Sequence, residues 1–341
     1  MKKKILLTII SIVIIAVLVA GLVLYFNVLS NPRKTPEDRI STGYVPTMEE
    51  LNNSPKYDRV VIMGVDGAGG SFTREGFNLP NFHKIFDEGS INTNGIAQYP
   101  TISGPNWASM LTGVTAQKHQ MTNATTSIFA NSGKNPTIFS SYASANKDAK
   151  MISIVAWTQI NKGIIENNIP GMTKISIKKQ IDTKNATDYD IDRAVVNELD
   201  KQLNSQDYKI VFLHFDSVDH AGHKYGRDSV QYKEAMEEID KDLGIVYESY
   251  KTRGLLDTTL FLCVSDHGHT VKGGHGKESD FEKETTLAVS GGLGNVNKGI
   301  VTNGKYVTHD LAAIVMYALG VQQPSFYEGG VPTYLFNTLT R

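Results

Sequence analysis

The most chemically distinctive stretch of the sequence is HFDSVDHAGH, residues 214–223, which holds three histidines and two aspartates. A second polar stretch, SDHGHTVKGGHG, follows at residues 265–276, so that six of the nine histidines in this 341-residue chain fall between positions 214 and 275. Imidazole and carboxylate groups together are the ligands that zinc and similar divalent metals prefer. Glycines interrupt both stretches and let the backbone approach a small site closely. The two stretches therefore predict a metal centre rather than a solvated polar rim.

Spacing within these stretches favours particular ligands. Asp219 and His223 are four residues apart, which is about one helical turn, so both side chains can meet at one ion. Asp266 and His267 are adjacent and directly follow an apolar strand-like run. Two other polar side chains of the first stretch, His214 and Asp216, are predicted to support the ligands or to pack against the strand, while His220 could line the pocket and its role stays open.

A candidate nucleophile lies in a separate segment, YPTISGPNWASMLTG, at residues 99–113. Ser103 precedes a glycine and a proline, and residues 105–112 are predicted to form a short helix. A hydroxyl at a helix N-terminus lies among free backbone N–H groups, which favour a phosphate or sulfate nearby. A serine must be activated, and coordination to a divalent metal provides that activation. Ser103 is therefore the predicted nucleophile, and Thr101 is the alternative hydroxyl.

The acidic residues of this constellation each follow a predicted strand. The apolar strand-like runs are 59–66, 149–157, 208–216 and 258–266. The amphipathic helical stretches that alternate with them are 79–89, 190–204, 230–250 and 308–320. This alternation predicts an α/β fold with a mostly parallel central sheet and helices on both faces. Because sites in such sheets form outside the carboxyl ends of strands, the aspartates at 66, 216 and 266 should converge on one edge.

The bulk composition fits a chain that folds around a sizeable core. Hydrophobic residues make up 40% and charged residues 20% of the sequence. The formal net charge of −1 provides no general attraction to nucleic acid, and no nucleic-acid-binding module is evident. The single cysteine, Cys263, excludes an intramolecular disulfide, and its apolar neighbours predict a buried strand residue.

The N-terminus differs in character from the rest of the chain. Residues 5–29 contain no charged side chain, and a helix of that length, at roughly 37 Å, can cross a hydrocarbon core of about 30 Å. The lysines within residues 1–4 predict a cytoplasmic N-terminus. Residues 30–57 are polar and contain prolines, as expected of a linker or stalk, and residues 58–341 are the predicted catalytic domain.

This organisation predicts a single-pass protein of the cell membrane with an extracytoplasmic catalytic domain. The alternative is a secreted protein whose N-terminal segment is a cleaved signal peptide. A signal peptide has a shorter apolar region, of about 7–15 residues, that ends in a small-x-small cleavage site. The apolar run here is longer, and YFNVLSNPRK contains no convincing site of that kind.

Five motifs, taken in order, resemble the alkaline phosphatase superfamily, and most closely its type I phosphodiesterase/nucleotide pyrophosphatase branch. They are MGVDG, PTISGPNWASMLTG, DHAGHKYG, SDHGH and GGHG, and the resemblance covers roughly residues 59–276. It implies a site of three Asp, three His and one Thr or Ser nucleophile that binds two divalent metal ions, zinc in that family. It also implies a phosphate-ester substrate that is hydrolysed through a phosphoseryl intermediate.

Carried over residue by residue, the resemblance assigns a ligand set to each metal ion. The ligands of one ion would be Asp66, Ser103, Asp266 and His267, and those of the other would be Asp219, His223 and His275. Asn123 lies near the position of a family asparagine that contacts a phosphate oxygen, although the local loop is one residue shorter than the family pattern.

Two departures from the branch leave the substrate open among phosphodiesters, nucleotide pyrophosphates and phosphomonoesters. The nucleophile of the branch is usually threonine, whereas serine is typical of the phosphomonoesterases. The interval from His267 to His275 is short, which leaves less chain for a cap that reads the substrate. Four aromatic residues could stack on a nucleobase, although aromatic residues at such positions more often lie in the core or at its rim: Phe72, Phe77, Trp107 and Tyr225.

Two other classes of function remain as alternatives. The first is a hydrolase or transferase that acts on phosphonate, sulfate or phosphoethanolamine groups. Against it, SGPNW lacks the arginine of the sulfatase C/S-x-P-x-R signature, and lipid head-group transferases usually carry several membrane spans rather than one. The second is a non-catalytic anchored binding module, although all seven ligand positions hold chemically competent residues.

Overall fold

The computed structural model describes residues 35–124 and 135–339 of the chain. The predicted membrane anchor at 5–29 and the predicted cytoplasmic segment at 1–4 lie outside these residues. Within the two described ranges, no helix combines the length and the hydropathy needed to cross a bilayer.

Nine strands of the described chain form one sheet. They are β1 (Arg59–Val65), β2 (Ser90–Ile96), β3 (Met151–Val155), β4 (Met172–Ser176), β5 (Ile210–Phe215), β6 (Thr259–Val264), β7 (Glu284–Gly291), β8 (Gly299–Val301) and β9 (Tyr306–Val307). The order across the sheet is β4-β3-β5-β1-β6-β7-β2-β8, and β9 also pairs with β2. Only β7 runs antiparallel to its neighbours, so the prediction of a mostly parallel sheet is confirmed.

Helices cover both faces of this sheet, as predicted. The α-helices are α1 (Met48–Asn53), α2 (Pro80–Phe86), α3 (Ser103–Thr112), α4 (Ala116–His119), α5 (Ile138–Ala145), α6 (Asp188–Leu203), α7 (Ser217–Tyr225), α8 (Val230–Thr252), α9 (Asp280–Lys283) and α10 (Asp310–Ala318). Helices α3, α5 and α10 contribute to one hydrophobic core, and α2, α6 and α8 contribute to the other.

Burial on both faces explains the continuous apolar runs of the central strands. In β1, Val60 and Ile62 belong to one core, while Val61 and Met63 belong to the other. Successive strand residues point to opposite faces, so a strand that lies between two layers of helices must be apolar throughout. Cys263 on β6 is buried in the same way, as its neighbours predicted.

The structure corrects two predicted helix starts. Helix α6 begins at Asp188 rather than at Asp190, because Thr187 occupies the N-cap position. The Thr187 hydroxyl accepts the Asp190 N–H at 3.2 Å, and the Asp190 carboxylate accepts the Thr187 N–H at 2.8 Å, which is a capping box. Helix α10 begins at Asp310 rather than at residue 308, and His309 occupies its N-cap position.

Several strands fall in segments that the sequence pattern leaves unassigned. Strand β2 has the mixed sequence SINTNGI, and β7 and β8 lie within residues 277–305, which carry no predicted strand or helix. Strand β7 instead fills the place between β6 and β2. Residues 277–305 thus extend the sheet as well as bordering the site.

Residues 35–57, which fall in the predicted linker, lie against the domain in this structure. They contain a 3-10 turn at Glu37–Arg39, helix α1, and a bridge between Tyr44 and Val331. The guanidinium of Arg39 is completely buried. These contacts place residues 35–57 in the same compact unit as the sheet.

Candidate active site

The carboxyl edge of the sheet carries the predicted site residues. Asp66, Asp216 and Asp266 directly follow or closely follow β1, β5 and β6, and these three strands are neighbours in the order β5-β1-β6. Because the three strands are parallel, their carboxyl ends meet at the same edge. The structure thus brings together chain segments that are distant in sequence: Gly67 and Asp266, which share a hydrogen bond at this edge, are 199 residues apart.

The first predicted ligand group closes around Ser103. The Ser103 Oγ lies 3.4 Å from Asp66 Oδ1 and 3.3 Å from His267 Nε2. His267 Nε2 is also 3.3 Å from Asp266 Oδ2, and ligand atoms of Asp66, Asp266 and His267 lie within 4.8 Å of one another. All four side chains are buried.

Asp266 presents one carboxylate oxygen to this group. Its Oδ1 accepts the backbone N–H groups of Gly67 at 3.0 Å and His267 at 2.9 Å. Its Oδ2 is buried and has no hydrogen-bond partner among the described residues. A buried carboxylate oxygen without a donor is costly unless a cation binds it, so this atom fits a metal ligand.

Asp66 is held by two completely buried side chains. The Trp107 indole donates to Asp66 Oδ2 at 2.8 Å, and His214 Nε2 lies 3.0 Å from the same oxygen. Burial alone would raise the pKa of Asp66, but the hydrogen bond from His214 and the proximity of His267 outweigh it and hold that pKa below its ordinary value. Trp107 therefore cannot stack on a substrate, and together with His214 it orients Asp66.

The second predicted group lies on α7 and the loop after β6. His223 Nε2 is 3.4 Å from Asp219 Oδ2, and His275 Nε2 is 3.6 Å from Asp219 Oδ1. The Nε2 atoms of His223 and His275 are 3.0 Å apart. His275 Nδ1 lies 2.7 Å from the carbonyl oxygen of Thr101, to which a ring N–H donates, leaving Nε2 free to bind a metal.

His269 belongs to the same cluster, although its sequence position predicted no particular role for it. Its Nε2 lies 2.9 Å from Asp219 Oδ1, and its ligand atom groups with those of Asp219, His267 and His275 within 4.8 Å. The ring fits because of two glycines: a Cβ at Gly67 would lie 2.7 Å, and one at Gly222 2.4 Å, from atoms of the imidazole. The available signal was the His-x-His spacing after β6, which puts both rings on one side of an extended chain.

The two groups form one continuous cluster in which buried carboxylates repel one another. The rings of His267 and His275 stack with centroids 3.8 Å apart. Burial, followed by the nearby Asp66 carboxylate, raises the pKa of Asp219 to about 7 and raises that of Asp266 well above its ordinary value. Burial lowers the pKa of His267, which keeps the imidazole neutral and able to bind a metal. Buried carboxylates that repel one another and neutral imidazoles are the combination that a divalent cation stabilises.

The two hydroxyls proposed as nucleophiles differ in their surroundings. Thr101 Oγ1 accepts the Gly276 N–H and donates to the Lys277 carbonyl, both at 2.9 Å, so its hydroxyl braces the His275 loop. Ser103 is instead the first residue of α3 and faces the first ligand group. The N–H of Gly104 donates to Asn123 Oδ1 at 2.6 Å, which places the Asn123 amide beside Ser103.

Asp216 and His220 pair with other side chains rather than with the histidine cluster, although one Asp216 oxygen lies within 4.8 Å of ligand atoms of Asp66 and His214. Asp216 pairs with Lys178 at 3.0 Å and with His220 at 3.4 Å. His220 Nδ1 lies 2.7 Å from Asp188, whose hydrogen bond raises the pKa of His220 to about 9. His220 also lines a cavity of about 440 Å³ whose wall includes Tyr225, which is exposed.

Comparison with known families points to one of them. A family model described as type I phosphodiesterase/nucleotide pyrophosphatase matches residues 60–272, which is more than half of the chain.

Two curated relatives are similar over part of the chain. Human GPI ethanolamine phosphate transferase 2, catalytic subunit, is 32% identical over 143 residues, which cover 40% of this chain and 14% of that protein. Ectonucleotide pyrophosphatase/phosphodiesterase family member 7 of Rattus norvegicus is 34% identical over 87 residues, which cover 26% of this chain and 19% of that protein. The matched stretches thus span less than a fifth of either relative.

Solved structures share the fold at low sequence identity. Human ectonucleotide pyrophosphatase/phosphodiesterase 5 superimposes with a TM-score of 0.64 at 13% identity, covering 82% of this chain and 100% of that one. Phosphonate monoester hydrolase of Agrobacterium radiobacter gives a TM-score of 0.60 at 13% identity, covering 80% and 76%.

Proposed function

The chain belongs to the type I phosphodiesterase/nucleotide pyrophosphatase family of the alkaline phosphatase superfamily, and on that premise we propose that it is a two-metal hydrolase of phosphate esters. The proposed substrates are phosphodiesters, nucleotide pyrophosphates or phosphomonoesters. The observation that carries the proposal is the position of Ser103, whose Oγ lies within 3.4 Å of Asp66 and His267 at the N-terminus of α3.

The donor set fits two divalent ions, which we propose to be zinc. Asp66, Ser103, Asp266 and His267 would hold one ion, and Asp219, His223 and His275 would hold the other. The donors are oxygen and imidazole nitrogen, and Asp266 Oδ2, which has no hydrogen-bond partner in the described part of the chain, supports the assignment. Such ions would lower the pKa of the serine hydroxyl and offset negative charge on the phosphate oxygens.

In the proposed reaction, the Ser103 oxygen attacks phosphorus in line with the leaving group. The new O–P bond forms as the bond to the leaving alcohol or nucleotide breaks, which gives a phosphoseryl intermediate, and water then hydrolyses that ester. The Asn123 amide lies beside Ser103, where its NH2 group can donate to a phosphate oxygen. Trp107 and His214 keep Asp66 oriented toward Ser103.

Substitution of Ser103 tests this function. With added zinc, the Ser103→Ala variant should lose at least about a thousandfold of the wild-type rate on nitrophenyl phosphate esters and diesters, because Ser103 is, among the described residues, the hydroxyl that contacts Asp66 and His267. The Thr101→Val variant removes the alternative hydroxyl and should retain more activity than Ser103→Ala. Wild-type turnover by Ser103→Ala would refute the assignment.

A second candidate, a phosphoethanolamine transferase, is favoured by the similarity to GPI ethanolamine phosphate transferase 2. The first step would be the same, but an alcohol acceptor would replace water in the second. Mass spectrometry of products formed from phosphatidylethanolamine, with and without an added glycolipid acceptor, separates the two candidates. A phosphoethanolamine adduct on the acceptor supports the transferase, whereas free phosphoethanolamine supports the hydrolase.

We also propose that the catalytic domain lies outside the cytoplasm on a single membrane anchor. The support is the uncharged run at 5–29 and the lysines that precede it. In that arrangement the proposed substrates would be extracytoplasmic phosphate esters.

A further inference from the structure

We propose that Arg39 is a positioning residue that fixes two catalytic loops relative to each other. The first, here called the nucleophile loop, is residues 97–103 and ends at Ser103. The second, here called the histidine loop, is residues 275–279 and begins at His275. The inference rests on the proposed function, because these two residues define the catalytic role of the loops.

One guanidinium contacts both loops. Arg39 Nε donates to the carbonyl oxygen of Ala97 in the nucleophile loop at 2.5 Å. Its Nη1 and Nη2 donate to the two carboxylate oxygens of Glu278 in the histidine loop, at 3.0 Å and 2.9 Å. Its Cζ also lies 5.8 Å from the centre of the Tyr99 ring, within the range of a cation–π contact. The Arg39 side chain is completely buried between these partners.

The two loops also meet at Thr101, closer to the reacting groups. The Thr101 carbonyl accepts from His275 Nδ1, and the Thr101 hydroxyl bonds to the backbone of Gly276 and Lys277. Glu278 is therefore one residue beyond this joint, and a displacement of Glu278 would be transmitted to the ring of His275. Arg39 and Thr101 therefore each link the nucleophile loop to the histidine loop through hydrogen bonds.

The chain around Arg39 is itself fixed on both sides. The hydroxyl and backbone N–H of Thr35 both donate to Gln117 Oε1 at 3.1 Å, and the Ser41 hydroxyl donates to Asp310 Oδ1 at 2.5 Å. Tyr44 then forms the bridge to Val331. The segment on both sides of Arg39 is thus hydrogen-bonded to the domain. These bonds hold the guanidinium at a fixed position, as a positioning residue requires.

The geometry calls for arginine rather than for any cation. The planar guanidinium makes a two-pronged contact with a carboxylate and still has Nε free for a carbonyl, whereas a lysine ammonium is a point charge that cannot do both. Glu278 is 52% exposed, so replacing Arg39 leaves this carboxylate in contact with water rather than stranded. An Arg39 variant is therefore expected to fold.

The test compares variants of the full chain, purified in detergent. The variants are Arg39→Gln, Arg39→Lys, Glu278→Gln, and the double variant of Arg39→Gln with Glu278→Gln. Arg59→Gln is the matched control: Arg59 is also buried, and its Nε is 3.0 Å from Asp207, which is 49% exposed, but it lies at the start of β1, away from the carboxyl edge. Zinc affinity is measured by chelator competition, and kcat and KM are measured with a nitrophenyl ester.

Arg39→Gln and Glu278→Gln should each weaken zinc binding by about 10-fold to 100-fold, the usual effect of removing an outer partner of a metal ligand. The kcat should fall while KM stays within about twofold, because a misplaced histidine loop affects the reacting groups rather than substrate binding. The double variant should be no worse than either single variant, and Arg39→Lys should be intermediate. Arg59→Gln should lower only the unfolding midpoint.

Wild-type zinc affinity and kcat in Arg39→Gln, or losses equal to those of Arg59→Gln, would overturn the proposal. Should Arg39→Gln not fold, Glu278→Gln decides the question, since it changes only a half-exposed carboxylate. The zinc measurement keeps this inference separate from the proposed function. A wild-type protein that hydrolyses no ester would refute the function, whereas unchanged zinc affinity in both variants would refute the role of Arg39.

Discussion

At the scale of single residues, Asp219 is the carboxylate on which three histidines converge. His223, His269 and His275 each place Nε2 within 3.6 Å of one of its oxygens. Two of these histidines are predicted ligands of the second metal ion. His269 makes the shortest of the three contacts, and its ring is buried, so it can hold the carboxylate in one orientation.

We predict that His269→Gln weakens zinc binding by about 10-fold to 100-fold, because Asp219 loses the group that orients it. Isothermal titration of the metal-stripped protein with zinc measures the change. His83→Gln is the control, because His83 is a half-exposed histidine that pairs with Asp87 on the surface. Equal zinc affinity in the two variants would mean that His269 only fills space.

The seven predicted ligands and the residues that orient them differ in how far sequence could identify them. Asp219 and His223, or Asp266 and His267, are close in the chain and follow a strand, so local spacing is enough to pair them. The contact of Trp107 with Asp66 joins residues 41 apart and depends on how α3 packs against β1. No local pattern encodes that packing, so the sequence left stacking on a substrate open for Trp107 beside the more common place in the core.

At the scale of elements, α7 carries Asp219 and His223, and another helix caps it. Asp192 on α6 accepts the backbone N–H groups of Asp216 and Ser217, both at 2.9 Å. These are orphan donors at the start of α7, and Asp192 is 1% exposed. The orientation of both ligands therefore depends on a side chain that lies more than 20 residues earlier.

We predict that Asp192→Asn lowers the free energy of unfolding by about 1–3 kcal/mol, because the new amide group places a donor against a buried backbone N–H. Zinc affinity should fall as well, since α7 loses its fixed start. Urea unfolding and zinc competition measure the two effects. Asp190→Asn, on the exposed side of the same helix, should leave zinc affinity unchanged; a similar loss there would show that α6 acts only through general stability.

Helix α3, which carries Ser103, rests on His119. His119 Nε2 lies 2.9 Å from the Ser109 hydroxyl and 3.1 Å from the Pro105 carbonyl, and Nδ1 accepts the Met121 N–H. Burial lowers the pKa of His119 to about 4. The unfolded chain takes up this proton near pH 6.5 and the folded protein only near pH 4, so this contribution to stability is complete above pH 6.5 and is lost as the pH falls through 4.

We therefore predict that wild type loses about 2 kcal/mol more unfolding free energy than His119→Gln does between pH 7 and pH 5, since one unit of pKa difference is worth about 1.4 kcal/mol. Urea unfolding of both proteins at the two pH values gives this difference. Parallel pH dependences would contradict a neutral, buried imidazole under α3.

The elements that could be predicted from the sequence are those whose burial is the same along their whole length. The strands buried on both faces are apolar throughout, so β1, β5 and β6 and the aspartates after them could be predicted together. Strand β2 is partly exposed and mixed in composition, and its place is set by pairing with β7 and β8. Pairing with distant strands leaves no periodic signal within seven residues.

At the scale of the whole molecule, the predicted anchor and the catalytic domain belong to one chain, and the anchor is open to a direct test. We predict that the full-length protein remains in the membrane pellet after an alkaline carbonate wash, because residues 5–29 form an uncharged run long enough to span the bilayer. A variant with Leu18→Arg and Val19→Arg should move to the soluble fraction or fail to be exported. Release of an intact wild-type domain shortened by about 30 residues would instead support a cleaved signal peptide.

Metal removal tests how the site contributes to the stability of the whole fold. Asp66, Asp219 and Asp266 converge in a buried cluster, and burial with mutual repulsion raises the pKa of Asp219 to about 7. We predict that chelation lowers the unfolding temperature and that added zinc restores it. At a zinc concentration a hundredfold above the dissociation constant, binding should raise the free energy of unfolding by about 2.7 kcal/mol. The raised pKa of Asp219 means that the metal-free protein loses stability as the pH rises from about 4 to 7. The difference in unfolding temperature between the zinc-bound and metal-free proteins, here called the gap, should therefore widen toward pH 8.

Thermal scans with and without chelator at pH 6 and pH 8 measure this gap, and Asp219→Asn should narrow it. A gap that stays constant with pH would show that the carboxylates do not drive the coupling between metal binding and folding.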